Sequence, residues 1–265
     1  MSLIRWVARG VVALAFLAGG VSASAQSVAE VKKPYEPVSG QAGKDVVWVP
    51  TPQATVDKML EVTKVSPQDL VMDLGSGNGI TVISAAKRGA TAVGVEFNPE
   101  MVALARRLAT EAGVSAKATF IEGDLFEADL SRATVITLFL LPDINERLRP
   151  KLLDLKPGTR IASNSFDMGE WEPDVRATSE GCQSWCTVLS WVVPAKVEGS
   201  WTLGQDNLAL TQQYQKISGT LGKTPITAGS LKGDSITFTA GSRVYTGRVS
   251  GDRMTGDGWS ASKAR

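Results

Sequence analysis

Short apolar runs alternate with amphipathic stretches from Val46 to Phe166. Leu70–Leu74, Thr91–Phe97, Ala116–Ile121, Thr134–Leu140 and Arg160–Phe166 read as strands. Thr134–Leu140 is almost wholly apolar, as a strand covered on both faces must be. Between them, Val56, Met59 and Leu60, then Ile80–Ala90, then Met101, Leu104, Ala105 and Leu108 predict helices. Asn98-Pro99-Glu100 gives the third helix an N-cap, a first-turn proline and an acid at its positive end, and Gly113 stops it. Pro142 opens another helix, through Leu155, and Trp191–Pro194 reads as a last strand. Strands alternating with helices predict an α/β fold with a mostly parallel, doubly wound sheet. Its ligand belongs at the strand C-termini.

The pattern changes after Ala195. Residues 196–265 hold 11 glycines and short alternating runs such as Ile236–Thr239 and Arg243–Thr246. Gly-Asp pairs mark hairpin turns, so a small C-terminal antiparallel β domain is expected, as an open sheet or a part-barrel. At the other end, Arg5 and Arg9 precede the apolar run Val11–Val21 and then Ala23-Ser24-Ala25. This is the order of a secretory signal peptide cleaved after Ala25, with a periplasmic or secreted product. No later run is apolar enough for a span. The expected layout is signal peptide 1–25, extended leader 26–45 with Pro34, Pro37, Gly40 and Gly43, catalytic domain 46–195 and β domain 196–265.

Composition removes several chemistries. The 265 residues contain no histidine and two cysteines, which excludes a Ser-His-Asp triad, a His-ligated zinc and a cysteine-held iron–sulfur cluster. The formal net charge is +1 for the whole chain, and −1 once Arg5 and Arg9 leave with the signal peptide. A nucleic-acid partner is therefore not expected.

The motif that carries chemistry is Asp73-Leu74-Gly75-Ser76-Gly77-Asn78-Gly79, at a strand–turn–helix junction. Glycines admit a ligand close to the backbone, and the next helix aims N–H groups at it. A dinucleotide fingerprint needs its third glycine where Ile80 stands. An acid before the glycines instead suits a ligand with an ammonium and no phosphate, as in S-adenosylmethionine (SAM). Glu96 at the end of the second strand is placed to accept from ribose hydroxyls. Asp124, after the third strand, is placed to accept from the adenine amine, with Leu125 beside the ring. Three acids at successive strand ends beside a glycine turn predict SAM as cofactor.

These motifs resemble class I SAM-dependent methyltransferases over residues 46–195, with a Rossmann-like sheet. Trp48-Val49-Pro50-Thr51-Pro52, Val56–Leu60, Asp73–Gly79 and Leu138-Phe139-Leu140-Leu141-Pro142 resemble more narrowly one group. This group is the lysine methyltransferases of the ATP synthase c-subunit and the adenine nucleotide translocase, with their bacterial relatives. The resemblance implies cofactor contacts from Trp48, Thr51, Asp73, Gly75, Ser76, Gly77, Asn78, Gly79, Glu96, Phe97, Asp124 and Leu125. It also implies that Leu141, Pro142 and Asn145 border the target amine. Asn78 and Asn164-Ser165-Phe166 depart from the pattern, standing where relatives carry an acid and, in some, a histidine.

Methyl transfer from a sulfonium releases a neutral thioether, so alignment and exclusion of water matter more than a proton donor. Carbonyls near Leu141 and Pro142 are expected to aim the amine. Asp143 either attracts a lysine cation or caps the helix. Protein lysine is the expected acceptor. A small or lipid-like acceptor, or a non-catalytic envelope binding module, are the alternatives, with an envelope partner on residues 196–265. Cys182 and Cys186 either pair across a tight turn or remain buried thiols.

Overall fold

A computed structural model describes residues 35–264; the expected signal sequence lies outside them. The first part of the chain forms α1 (Gln53–Val62), β1 (Leu70–Leu74), α2 (Ile80–Lys87), β2 (Thr91–Glu96), α3 (Pro99–Glu111), β3 (Ala118–Glu122), β4 (Val135–Leu138), α4 (Pro142–Leu153), β5 (Arg160–Asn164), β6 (Val175–Thr178) and β7 (Thr187–Val192). Local chemistry sets several of these bounds. The Asn98 side chain accepts from the Glu100 and Met101 N–H groups at 2.9 and 3.4 Å and starts α3. Pro142 stands in the first turn of α4, where its missing N–H costs nothing.

The strands make one seven-stranded sheet in the order β3-β2-β1-β4-β5-β7-β6. Pairs among β1 to β5 are parallel; β7 runs antiparallel to β5 and to β6. The order reverses between β1 and β4, and a crevice opens at such a point. One core layer gathers Val56, Leu60, Val71, Val82, Val102 and Phe120. The other gathers Leu74, Ile136, Leu148, Leu152, Trp171 and Trp191. Two features depart from the expected sheet. The last strand begins at Thr187 and ends at Val192. β6 is not expected from the sequence: Val175-Arg176-Ala177-Thr178 is a four-residue, largely exposed edge, too short for its alternation to stand out.

The rest is all strand: β8 (Gly199–Leu203), β9 (Asp206–Gln213), β10 (Lys216–Leu221), β11 (Thr224–Lys232), β12 (Ser235–Ala240), β13 (Arg243–Ser250), β14 (Arg253–Gly256) and β15 (Trp259–Lys263). They close into a barrel, with β15 pairing back onto β8. Closure leaves no strand edge for another chain to pair with. Inside, Phe238 stacks on Tyr245 at 4.8 Å and meets Trp259 edge-on at 5.8 Å.

The chain passes from one core to the other within a few residues. Val193 packs in the sheet core, whereas Ala195 and Val197 pack in the barrel core. Trp171 ties the junction together. Its carbonyl accepts from Trp191 Nε1 at 2.7 Å and its ring stacks on Tyr214 at 6.1 Å. Among the described residues, no helix is long and apolar enough to cross a membrane.

Candidate active site

The cleft lies over the C-terminal ends of β1, β2 and β4, and its floor is the glycine turn. Gly75 and Ser76 donate to the Val95 carbonyl at 2.9 and 3.0 Å, which ties the turn to β2. Gly77 has φ of 51°, and a Cβ there would come within 2.5 Å of the Trp48 indole nitrogen. Trp48 thus lies directly on the turn because residue 77 has no side chain. Gly79 has a different reason. A Cβ at its φ of 80° would strike the Phe120 ring at 2.6 Å. Its Cβ direction faces the core rather than the cleft, so the missing side chain serves helix–sheet packing.

Asp73, next to the end of β1, is almost fully buried and accepts a 2.6 Å hydrogen bond from Thr137 Oγ1 on β4. Burial pushes its pKa up to about 7; the Thr137 bond opposes this and the Glu96 charge adds to it. Thr81 also hydrogen-bonds to it. A buried carboxylate with two hydroxyl donors still has unfilled acceptor capacity facing the cleft. An ammonium would fill it and restore the ionised form.

Glu96 is a clamp. Its two carboxylate oxygens accept from Gly77 N at 2.8 Å and Asn98 N at 2.9 Å, joining the turn to the start of α3. An ionised carboxylate has about four acceptor sites, so two remain for a diol. Asp124 accepts from Phe126 N at 2.9 Å through one oxygen and pairs with Lys44 through the other. The Lys44 hydrogen bond holds the Asp124 carboxyl below its ordinary range, and Asp124 raises the Lys44 pKa in return. Lys44 also lies 4.8 Å from the centre of the Phe97 ring.

Trp48, Thr51, Asp73, Gly75, Ser76, Gly77, Asn78, Glu96, Phe97, Asp124 and Leu125 all line this one cleft. A buried acid, a glycine floor, a carboxylate with diol capacity and a second acid beside an exposed aromatic ring fit the amino, ribose and adenine parts of SAM in that order.

The residues expected around the target amine are not brought to the cleft. β4 ends at Leu138, so Phe139 and Leu140 stay at the cleft wall with Ile144, while residues 141–143 turn over the start of α4 toward solvent. Leu141 is exposed, and its carbonyl already accepts from the N–H groups of Ile144 and Asn145. It has no lone pair left to aim an amine. Pro142 serves the helix start, and Asp143 is an exposed first-turn acid. Asn145 is fully buried and donates to the Phe166 and Asp167 carbonyls at 3.4 and 3.0 Å, holding the loop after β5. The sequence pattern also gave no sign that residues 41–45, expected as part of a leader, line the cleft. Only their closeness to Trp48 hinted at this.

A family profile described as the ANTKMT methyltransferase domain matches residues 73–175. A protein-lysine N-methyltransferase of Saccharolobus islandicus is 47% identical over 131 residues, which is 48% of this chain and 81% of that protein. The mouse lysine N-methyltransferase of the ATP synthase c-subunit is 33% identical over 178 residues, 64% of this chain and 70% of that one. The chain belongs to this methyltransferase family. A Salinibacter ruber structure, described as an RNA methyltransferase in complex with S-adenosyl-L-homocysteine, is 49% identical. It covers 56% of this chain and 96% of its own, with a TM-score of 0.53. This methyltransferase is therefore an enzyme whose cofactor is SAM. The matched share of the chain fits the sheet domain; residues of the barrel lie beyond the family profile.

Proposed function

We propose that this methyltransferase binds SAM in the cleft over β1, β2 and β4 and transfers its methyl group to the ε-amine of a protein lysine. The observation that carries the reading is the apolar acceptor wall of Phe139, Leu140 and Ile144 beside a single buried acid. Two relatives, at 47% and 33% identity, are named for lysine methylation. When bound, SAM supplies an electrophilic methyl on a sulfonium. A lysine amine has a reference pKa of about 10.4 and must arrive neutral. The aliphatic Leu140 and Ile144 disfavour the ammonium and so promote proton loss to solvent before attack. Phe139, Leu140 and Ile144 also keep water from competing as nucleophile. Asp73 holds the cofactor ammonium, and Glu96 fixes the turn that orients it.

The test is incubation of the purified chain with labelled SAM and a protein extract, followed by mapping of the modified sites by mass spectrometry. Methylated lysine is the expected product. Label in RNA with none in lysine would overturn the reading in favour of the function named for the Salinibacter ruber neighbour. The net charge of −1 after signal removal speaks against that outcome.

We further propose export after cleavage behind Ala25, and contact between the barrel and an envelope protein. The Arg5–Ala25 pattern, the Cys182–Cys186 bond and the excess of basic over acidic residues in 196–265 support this reading. Mass measurement of the chain recovered from an envelope fraction tests the cleavage. A retained Met1–Ala25 segment would sink it.

A further inference from the structure

A cluster of aromatic rings extends from Phe139 of the acceptor wall, away from the residues assigned to the cofactor. Phe139, Phe166 and Trp185 come from the end of β4, the loop after β5 and the loop before β7. Their ring centres lie 5.5–6.1 Å apart. Phe139 also lines the cleft, so the cluster is continuous with the site of methyl transfer. Trp185 is 41% exposed, so part of it is open to solvent.

Trp185 is held against its own backbone preference. Its φ is 58°, the left-handed region that a bulky residue enters only when its surroundings compel it. Two constraints impose this. Cys182 and Cys186 are bonded, with Cα atoms 5.6 Å apart, closing a short loop around it. The buried Thr55 of α1 donates from Oγ1 to the Trp185 carbonyl at 3.0 Å. α1 begins just after Thr51, which lines the cleft, so one helix sets both the cofactor end and the Trp185 loop.

Aromatic faces attract alkylammonium ions through the ring quadrupole, and Trp does so best. Elsewhere the chain's own cations cover aromatic rings, as Arg147 covers Phe126 and Lys263 covers Trp201. Among the described residues, none covers this cluster. We propose that Phe139, Phe166 and Trp185 form an acceptor platform, with the Cys182–Cys186 bond as the staple that presents Trp185. It takes the alkylammonium side chain of the substrate as it arrives charged and as it leaves as a methylammonium. The occupant rests on the lysine reading above. The platform binds an alkylammonium whether or not lysine is its source.

The test uses the chain saturated with S-adenosyl-L-homocysteine. The probes are trimethyl-lysine amide, which accepts no further methyl, and its uncharged tert-butyl carbon isostere, both titrated by NMR. The cation is expected to bind at least fivefold tighter than the isostere. Trp185→Ala is expected to abolish that preference and Trp185→Phe to keep most of it. The Cys182→Ser/Cys186→Ser pair should weaken the cation severalfold. Affinity for S-adenosyl-L-homocysteine should stay within twofold throughout, which certifies the fold. Equal binding of cation and isostere, or an unchanged preference in Trp185→Ala, would overturn the platform. In the methylation assay, Trp185→Ala should raise KM for the protein acceptor with little change in kcat; a fall in kcat alone also counts against it. Cation preference with no lysine methylated anywhere would support the platform and sink the lysine reading, so the two fail separately.

Discussion

The two β structures of this chain solve the same problem in opposite ways. The barrel pairs every strand on both sides and fills its interior with its own side chains, Trp201, Phe238 and Met254 among them. The sheet domain is open, and at the β1/β4 reversal its strand ends leave polar atoms that the protein itself does not satisfy. The Ser76 Oγ in the glycine turn is buried without a partner, and Asp73 is buried with only the Thr137 and Thr81 hydroxyls on it and a carboxyl raised to about 7. A closed barrel has little unsatisfied chemistry to offer a small ligand. An open switch point has a great deal, and ligands of open α/β sheets collect there.

The sharpest way to break this division is to damage the barrel alone. Phe238→Ala removes the ring between Tyr245 and Trp259 and should destabilise the barrel by about 3–5 kcal/mol. SAM affinity below the melting transition should stay within twofold, measured by calorimetry beside thermal unfolding. A parallel loss of SAM affinity would mean that the two cores act as one unit, through the Trp171–Tyr214 stack.

The opposite variant strikes the open region. Asp73→Asn should cost about 100-fold or more in SAM affinity, since the ammonium loses its charged partner. The same change should stabilise the free protein at alkaline pH. The folded pKa of about 7 lies above the unfolded value of about 3.9. Stability linked to this group is therefore full below about pH 4 and is lost as pH rises through about 7, at a cost of order 4 kcal/mol. Denaturant titrations at about pH 8 and about pH 4 check the sign. The variant should exceed the wild type at the higher pH, and the gap should close at the lower.

The two regions were also unequally legible in the sequence. The sheet domain announced itself because the hydrophobic period switches between strand and helix, and because Asp73, Glu96 and Asp124 each fall at or just past the C-terminal end of a strand. Both signals are local. The acceptor side is less legible, because it depends on where β4 stops. Phe139 and Leu141 are two residues apart, and only the turn into α4 decides which faces the cleft. Glu96 was expected as a ribose ligand, but nothing in the sequence shows that its oxygens also hold Gly77 and Asn98. The barrel's hairpins were visible, but closure was not, since the pairing of β15 with β8 joins residues far apart in sequence.

The next effect is smaller and belongs to the open region alone. Asp73 must be ionised to hold an ammonium. SAM affinity should therefore rise about tenfold from about pH 5.5 to about pH 7, a window in which the cofactor amine stays charged. Calorimetry across that range checks it. A flat profile would mean that Asp73 is already ionised in the free protein.

The smallest expected effect concerns the strap that closes the cleft. Lys44 occupies one oxygen of Asp124 and lies over Phe97, the two groups assigned to the adenine end of SAM. A bound adenine must displace this ammonium or share Asp124 with it. Lys44→Ala frees the oxygen and should tighten SAM about twofold, since exposed ion pairs contribute little. Salt separates this competition from simple closure of the strap. Added salt screens the Lys44–Asp124 pair, so wild-type affinity should rise slightly with ionic strength while the variant stays flat. If Lys44 instead helps to cover the bound cofactor, Lys44→Ala will weaken SAM binding. The contrast with the barrel would then narrow, because the open cleft would prove to be finished by its own leader.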